Sequence, residues 1–554
     1  MSAELRGAPA APGVAIAPPW VYHAVAADGS SRLPLPDAAR LAADEVVGIA
    51  ARLREKGREA EAEIFDAQAL MAEDPALHDA TAALMANGTD AAAAVIQAGE
   101  AVAAAFEEIG DEILAARGAD VRDVTARIAR IVTGDAIPRL ERRSVVVAAD
   151  LPPSITVELD RELLVGIALE GGSRTSHAAI LARALGIPAV VGVVGLGEAA
   201  ASAAELAVDG DAGIVHLDPD AETLARLAVV AETARARAGH DAELASTDLA
   251  TADGHRVTCA ANVGEPADAV AAFAAGAEAI GLFRTEFAFA GRATAPDEAA
   301  QAAAYAEVLG ASAGAEVVFR LADIGGDKPI PYLPLEPEAN PFLGIRAIRL
   351  HDRHPELLPT QLRAILRASA DAGRRASIMA AMVADEHDLD LVLRLVADAR
   401  AAVPAAPAPR MGVMIEIPSA VLLADRLAPR VDFMSIGTND LTQYLLAADR
   451  SNAALAARQD PLHPAVLRAV GRVVEAAAPT SCGVAVCGEM AADPAGALLL
   501  VGLGVDELSM EPRSFGAVKR AVGARTLPDL VALAVRAQLM PAAADVRRAV
   551  GDAS

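Results

Sequence analysis

From Gly254 onward, short apolar runs alternate with helical stretches, and the alternation repeats eight times. The runs are Arg256 to Ala261, Ala279 to Phe283, Glu316 to Arg320, Ser377 to Met382, Met411 to Glu416, Asp432 to Ile436, Gly483 to Cys487 and Val505 to Ser509. Strand and helix in regular succession imply parallel pairing, and eight such units are the pattern of a (β/α)8 barrel. That inference also fixes where chemistry belongs, because the loops leaving the strands' C-terminal ends converge on one mouth.

Polar residues fall at those ends. Arg284 follows the second run, Arg320 ends the third, Glu416 ends the fifth, Asn439 and Asp440 follow the sixth, and Cys487 closes the seventh. Glu416 and Asp440 sit on neighbouring strand ends. Two carboxylates with few other ligands suit Mg²⁺, which keeps positions open for water and substrate oxygens. Arg284, Arg320, Arg346 and Arg450 can grip a phosphate and a carboxylate bidentately, although any one of them alone reads as a surface ion pair. Cys482 has no such neighbours and reads as a small buried hydrophobe.

The first half holds a second chemical stretch, Glu170-Gly171-Gly172-Ser173-Arg174-Thr175-Ser176-His177, ahead of a strand from Pro188 to Val191. Thr175 or Ser176 can cap a helix whose apolar face is Ile180, Leu181 and Ala184 and which Gly186 ends. His177 then lies in the first turn, where the helix dipole disfavours imidazolium and welcomes an anion. A neutral imidazole there can accept a phosphoryl group. Gly171, Gly172 and Arg174 supply close backbone approach and a charge partner for it; without such neighbours the histidine reads as a capping residue.

Around this stretch the pieces suggest a small α/β domain. Residues 5 to 23 read as a first strand behind a Pro12-Gly13 turn. Pro36 to Thr133 read as an alanine-rich helical insertion broken at Asp74-Pro75 and Asn87-Gly88, with Ile64, Phe65, Leu70, Val121, Val124 and Ile128 as the apolar stripes of a bundle. Strands follow at Val145 to Ala148 and Leu164 to Ala168, then a hairpin from Leu206 to Val208 and Ile214 to Leu217. Asp218-Pro219 is the expected cap of a linker helix ending near Gly239.

Hydrophobic content of 54% over 554 residues is ample for several cores. A net charge of −27 argues against nucleic acid as a partner, since backbone phosphates need clustered Lys and Arg. Three scattered cysteines imply free thiols in a reducing compartment. Met1 to Val21 lacks a basic segment followed by an apolar one, and no later run reads as a spanning helix, so a cytoplasmic location without membrane insertion is expected.

The loop ending at His177 resembles the phosphohistidine loop of the phosphoenolpyruvate-utilising enzymes, with Ser173 where that family has a second glycine. The barrel blocks Gly281 to Phe287, Asp323-Ile324-Gly325-Gly326-Asp327-Lys328, Asn340 to Arg346, Ala448-Asp449-Arg450, Asp440 to Tyr444 and Cys487-Gly488-Glu489-Met490-Ala491 are similar to the Enzyme I family within that group. So are Glu63 to Asp66, Glu73-Asp74-Pro75 and Ala119 to Val124, which resemble its carrier-binding helices. Gln68 stands where many members have histidine, and Ala380-Ala381 where a Phe-Pro pair is usual.

That resemblance implies a phosphoenolpyruvate-protein phosphotransferase, the first step of a sugar-uptake phosphotransferase system. His177 becomes the phosphohistidine, Glu416 and Asp440 hold Mg²⁺, and Asn439, Arg284, Arg320 and Arg450 bind phosphoenolpyruvate with help from Arg346 and Lys328. Cys487 handles the proton at the enolate carbon, for which a thiol of pKa near ~8.5 is a credible donor. The implied partner is an HPr-like carrier, with a homodimer formed through the barrel. The expected domains are 1–34 with 135–218 (phosphohistidine α/β), 35–134 (helical insert binding the carrier), 219–250 (linker helix), 251–545 (barrel) and 546–554 (tail). Two alternatives are a phosphoenolpyruvate sensor without turnover and a synthase or dikinase; the second needs a nucleotide-grasping domain for which the chain has no room. A metal-dependent lyase acting on oxo-acids is a third, and it leaves the histidine stretch unused.

Overall fold

The computed structural model describes residues 3–22, 33–55, 59–108, 112–134, 139–152, 155, 159–172, 178–179, 182–183, 186–289, 292, 294–326, 330, 332–333, 335–336, 338–450, 452, 455 and 458–551. It divides into two compact units, Met1–Ala236 and Arg237–Ser554.

In the first unit the N-terminal segment is four short strands rather than one: β1 (Ala3–Arg6), β2 (Ala8–Ala11), β3 (Val14–Ala17) and β4 (Pro19–Val21). Their partners come from beyond the helical insertion. A four-stranded antiparallel sheet runs β1-β9-β8-β3, where β8 (Leu206–Asp209) and β9 (Ile214–Leu217) are the expected hairpin. A five-stranded sheet runs β2-β7-β6-β5-β4, with β5 (Ser144–Ala148), β6 (Leu164–Leu169) and β7 (Ala189–Val191) parallel and β2 antiparallel at its edge.

The insertion is a bundle of α1 (Leu35–Glu55), α2 (Glu59–Ala72), α3 (Pro75–Ala86), α4 (Ala91–Glu108) and α5 (Glu112–Thr133). Asp74 caps α3 by accepting from Ala76 N at 2.8 Å, with Pro75 at the first helical position. Phe65, Val121, Val124 and Ile128 are buried as their spacing demands, but Leu70 is 76% exposed and belongs to no core. Ile64 carries no described side chain. Gln68 lies in the interior rather than on a docking surface, its amide donating to Asp120 Oδ1 at 3.0 Å and Asp123 Oδ2 at 3.4 Å. The linker helix spans Ala221–Leu244, later at both ends than expected. Asp220 is its cap, while Asp218 instead satisfies the amides of Ala204 and Glu205.

The second unit is a closed barrel of eight parallel strands: β10 (Thr258–Val263), β11 (Ala279–Arg284), β12 (Val317–Arg320), β13 (Ser377–Ala380), β14 (Arg410–Ile415), β15 (Phe433–Ile436), β16 (Gly483–Val486) and β17 (Glu507–Met510). Side-chain alternation builds two cores. Ile280, Phe319, Ile378, Val413, Met434 and Val486 point outward under the helices, with Cys259 and Cys482 among them. Leu282, Val318, Met379, Met414, Phe433 and Cys487 fill the interior. Residues 546–551, expected to be a tail, complete a helix (Ala543–Gly551) that buries Val546 and Val550 in the outer core. No helix among the described residues is long and apolar enough to cross a membrane.

One acid in this unit makes stability pH-dependent. Burial, with Glu316 nearby, lifts the Glu507 carboxyl to about 7. The folded state then holds the proton more tightly than the unfolded chain, whose glutamates titrate near ~4.3, so the stabilisation is full below that value and lost as pH rises through 7. Glu507→Gln is expected to raise Tm at pH ~8 and to leave it near wild type at pH ~4. An equal shift at both pH values in thermal unfolding refutes the assignment.

Candidate active site: an ion network at the barrel mouth

Arg284 and Arg320 end adjacent strands and are paired in register. Arg320 is 7% exposed, with Nη2 at 2.8 Å from Glu286 Oε1 and Nη1 at 3.6 Å from Asp323 Oδ2. Glu286 Oε1 also accepts from Asp323 N at 2.6 Å, whereas Glu286 Oε2 and Arg320 Nε are buried with no hydrogen-bond partner. Gln361 braces this corner from behind, donating to Thr285 Oγ1 at 2.9 Å and accepting from Ala322 N at 2.9 Å.

Arg346 is fully buried. Its Nε and Nη2 donate to Asp323 at 3.0 and 2.7 Å, and its Nη1 to Asp440 Oδ1 at 3.2 Å. Asp440 also faces Arg450 Nη1 at 3.4 Å. Burial by itself lowers an arginine pKa, but the facing carboxylates reverse that for both Arg320 and Arg346, which stay charged. The backbone reaches this arrangement through Gly325, at φ +107°, which bridges to Arg346; a Cβ there would meet Ile345 O at 2.4 Å. Phe342, in the same loop, lies under the Arg450 guanidinium at 4.9 Å and accepts a hydrogen bond at its carbonyl from the Tyr444 hydroxyl.

Glu416 follows β14 and is 1% exposed, with Oε1 accepting from Met382 N at 2.7 Å. Burial first, then repulsion from Asp440 and Asp323, raises its pKa to about 8, against the pull of Arg346. Asp440 lies in the first turn of the helix Thr438–Leu446 after β15. The neighbouring Asn439 is exposed, and its Oδ1 accepts from Glu489 N at 2.9 Å, leaving its amide donors for a ligand. Among the described residues no group of three or more His, Cys, Asp or Glu is arranged around one metal position. The donor set here is two carboxylates, which fits a hard cation that retains water and takes substrate oxygens.

Cys487 directly follows β16 and faces the interior, buried, with its sulfur 3.8 Å from Ile436 O. Burial pushes the thiol up to about 11, opposed by Ser435, Arg320 and Arg284. It is therefore protonated near neutral pH. Gly488 lets the two strand ends touch, since a Cβ there would meet Thr438 Oγ1 at 2.0 Å. Cys482, by contrast, sits in the outer core.

The mouth thus gathers Arg284, Arg320, Arg346, Arg450, Asn439, Glu416, Asp440 and Cys487. Lys328 and His177, with Ser173, Arg174, Thr175 and Ser176, lie outside the described residues. Next to them Gly171, Gly172, Ala178, Ala179 and Ala182 are described, the three alanines buried beside β6 and β7. Sequence reasoning passed over Glu286 and Asp323. The available signal was an acid two residues after Arg284 and another three after Arg320, each placed to return to the same strand end.

Models of three families match the chain: the PEP-binding domain of PEP-utilising enzymes over residues 239–526, their mobile domain over 140–213 and their N-terminal domain over 6–117. A phosphoenolpyruvate-protein phosphotransferase of Haloferax volcanii is 41% identical over 509 residues, covering 90% of this chain and 88% of its own. One from Listeria innocua is 37% identical over 532 residues, covering 93% of both. A multiphosphoryl transfer protein of Rhodobacter capsulatus is 40% identical over 493 residues, covering 88% of this chain and 59% of its own.

Proposed function

The chain belongs to the PEP-utilising enzyme family, and from that premise we propose that it is a phosphoenolpyruvate-protein phosphotransferase, moving phosphoryl from phosphoenolpyruvate to His177 and then to a histidine of an HPr-like carrier. The observation that carries the reading is the network of arginines and carboxylates at one end of a closed barrel. Phosphoenolpyruvate brings a phosphate and a carboxylate, and Arg284, Arg320, Arg450 and the amide of Asn439 are donors suited to both. Lys328 joins them on the resemblance of its sequence block.

Arg346 has a different part. It spends its hydrogen bonds on Asp323 and Asp440, so it positions carboxylates rather than substrate. Repulsion among Glu416, Asp440 and Asp323 is the electrostatic demand that a divalent cation meets. Glu416 and Asp440 would hold Mg²⁺, which when bound draws electron density from phosphoryl and carboxylate oxygens. The chain's own share is to orient the enol phosphate with its arginines, exclude water and keep a protonated thiol at Cys487 for the enolate carbon.

The division of labour follows the proposed domains: 1–34 with 135–218 carry the phosphohistidine, 35–134 receive the carrier, 219–250 link, and the barrel from 251 binds phosphoenolpyruvate and dimerises. One imidazole serving both a barrel ligand and a separate protein has to travel between them. Incubation with phosphorus-labelled phosphoenolpyruvate, with and without Mg²⁺ and a purified HPr-like protein, tests this. Acid-labile label on the chain that passes to the carrier is expected; label bound without transfer makes it a sensor instead.

Cys487→Ala is expected to bind phosphoenolpyruvate normally and to release pyruvate about 10² to 10⁴ times more slowly, the usual contribution of a positioned acid. Single-turnover pyruvate release at the wild-type rate moves Cys487 to a packing role beside Cys482.

A further inference from the structure

A cavity of about 130 Å³ lies at the opposite end of the barrel from this mouth, walled by Glu316, Arg410, Asp506, Glu507, Phe433 and Ser435 among others. Glu507 and Arg410 open their strands, and the exposed Asp506 marks where the cavity meets solvent. A space of that size with charged side chains in its wall holds several waters. Ser435 lies further along its strand, toward the catalytic end.

Alternation turns Phe433 and Ser435 inward on β15, as it does Cys487, the residue after β16. Ser435 is in register with Ala485, two residues before Cys487 on the same face, which makes Ser435 the diagonal neighbour of the thiol. Its hydroxyl is buried and makes no full hydrogen bond, and Ser435 is 1% exposed. That hydroxyl nonetheless opposes the rise in the Cys487 pKa. Below the thiol, then, come a hydroxyl without another partner, a cavity with charged side chains in its wall and a carboxyl whose proton is held to about pH 7. The groups acting on that carboxyl are Glu316, Arg410, Glu278 and Asp506.

We propose that Cys487 regains its proton from the far end of the barrel, through Ser435 and the waters of the cavity, with Glu507 as the reservoir. The inference rests on the reading of Cys487 as the acid for the enolate. When its S–H bond breaks, the proton forms the new C–H bond of pyruvate and a thiolate remains. The Ser435 hydroxyl gives its proton to sulfur and takes one from a cavity water. The Glu507 carboxyl replaces that water's proton and is itself recharged by bulk water. No electrons leave the set of bonds named. The route answers a geometric need, because Cys487 is 4% exposed, and phosphoenolpyruvate bound at the mouth would cover it from the other side.

The full-length enzyme can be held at equilibrium with Mg²⁺, phosphoenolpyruvate and methyl-deuterated pyruvate, without carrier. Two rates are followed: entry of radiolabelled carbon from pyruvate into phosphoenolpyruvate, and loss of methyl deuterium to water. In the wild type the two should keep pace. In Ser435→Ala and Glu507→Gln, deuterium loss should fall behind carbon exchange on the order of tenfold, because the abstracted deuteron stays on sulfur after phosphoenolpyruvate leaves and is handed to the next enolate before it can reach water. Deuterium loss that keeps pace in both variants overturns the relay, and so does a parallel slowing of both rates, which leaves Ser435 and Glu507 structural. Cys487→Ala is run alongside: carbon exchange at the wild-type rate there removes the premise about the thiol rather than the route behind it.

Discussion

Arg346→Met is expected to destabilise the barrel by about 3–5 kcal/mol and to end phosphoryl uptake, the cost of stranding buried charges whose shared partner is gone. Asp323 and Asp440 both depend on this guanidinium, and each is less than a tenth exposed. Neither aspartate can recover its loss from water without opening the mouth. For a unit of this size the penalty corresponds to a fall in Tm on the order of 10 °C. Arg346→Lys keeps the charge but cannot span Asp323 and Asp440 with three directed bonds, so it should fall between the two. Thermal unfolding and labelled-phosphate uptake of both variants provide the check. If Arg346→Met melts with the wild type and still takes up phosphate, the guanidinium is not what holds the carboxylates in place.

The buried state of Arg346 was not legible in the sequence, whereas the barrel around it was. Each of the eight strands lies within two residues of its expected limits at either end, because strand length and alternation are local properties recorded in apolar spacing. Arg346 enters from a long loop, and only the folding of that loop over Gly325 brings it between Asp323 and Asp440. Its sequence block signalled a phosphate ligand. Distance along the chain hid other features as well. The strands β1 to β4 find partners only past the five-helix insertion, so their pairing into two sheets had no local signal. Asp218 and Asp220 are equally good caps on paper, and the choice was made by the amides of Ala204 and Glu205, which needed Asp218. Glu507 read as the middle of an ordinary strand, Val505 to Ser509, since nothing near it in sequence shows that Glu316 and Arg410 share its end of the barrel.

His177→Gln is expected to take up no acid-labile phosphate at all while still binding phosphoenolpyruvate. Glutamine keeps polarity and approximate size but offers an amide nitrogen that is not nucleophilic, so the loss concerns chemistry and not folding. The barrel and its ion network belong to the other compact unit. Phosphoenolpyruvate with Mg²⁺ should therefore protect the variant against unfolding as it protects the wild type, by about 2.7 kcal/mol at a hundred times Kd. Binding without transfer separates a missing acceptor from a damaged site. Two of the described histidines are already engaged elsewhere. His216 is buried in β9 with Glu4 Oε1 at 3.3 Å from its Nδ1, and His463 uses Nδ1 to cap the helix Pro464–Ala477. Stoichiometric phosphate on the His177→Gln protein, mapped to either of these or to any other side chain, sinks the proposal that the glycine-flanked loop carries the phosphoryl group. It would also leave Gly171, Gly172 and Arg174 without a chemical reason to stand where they do.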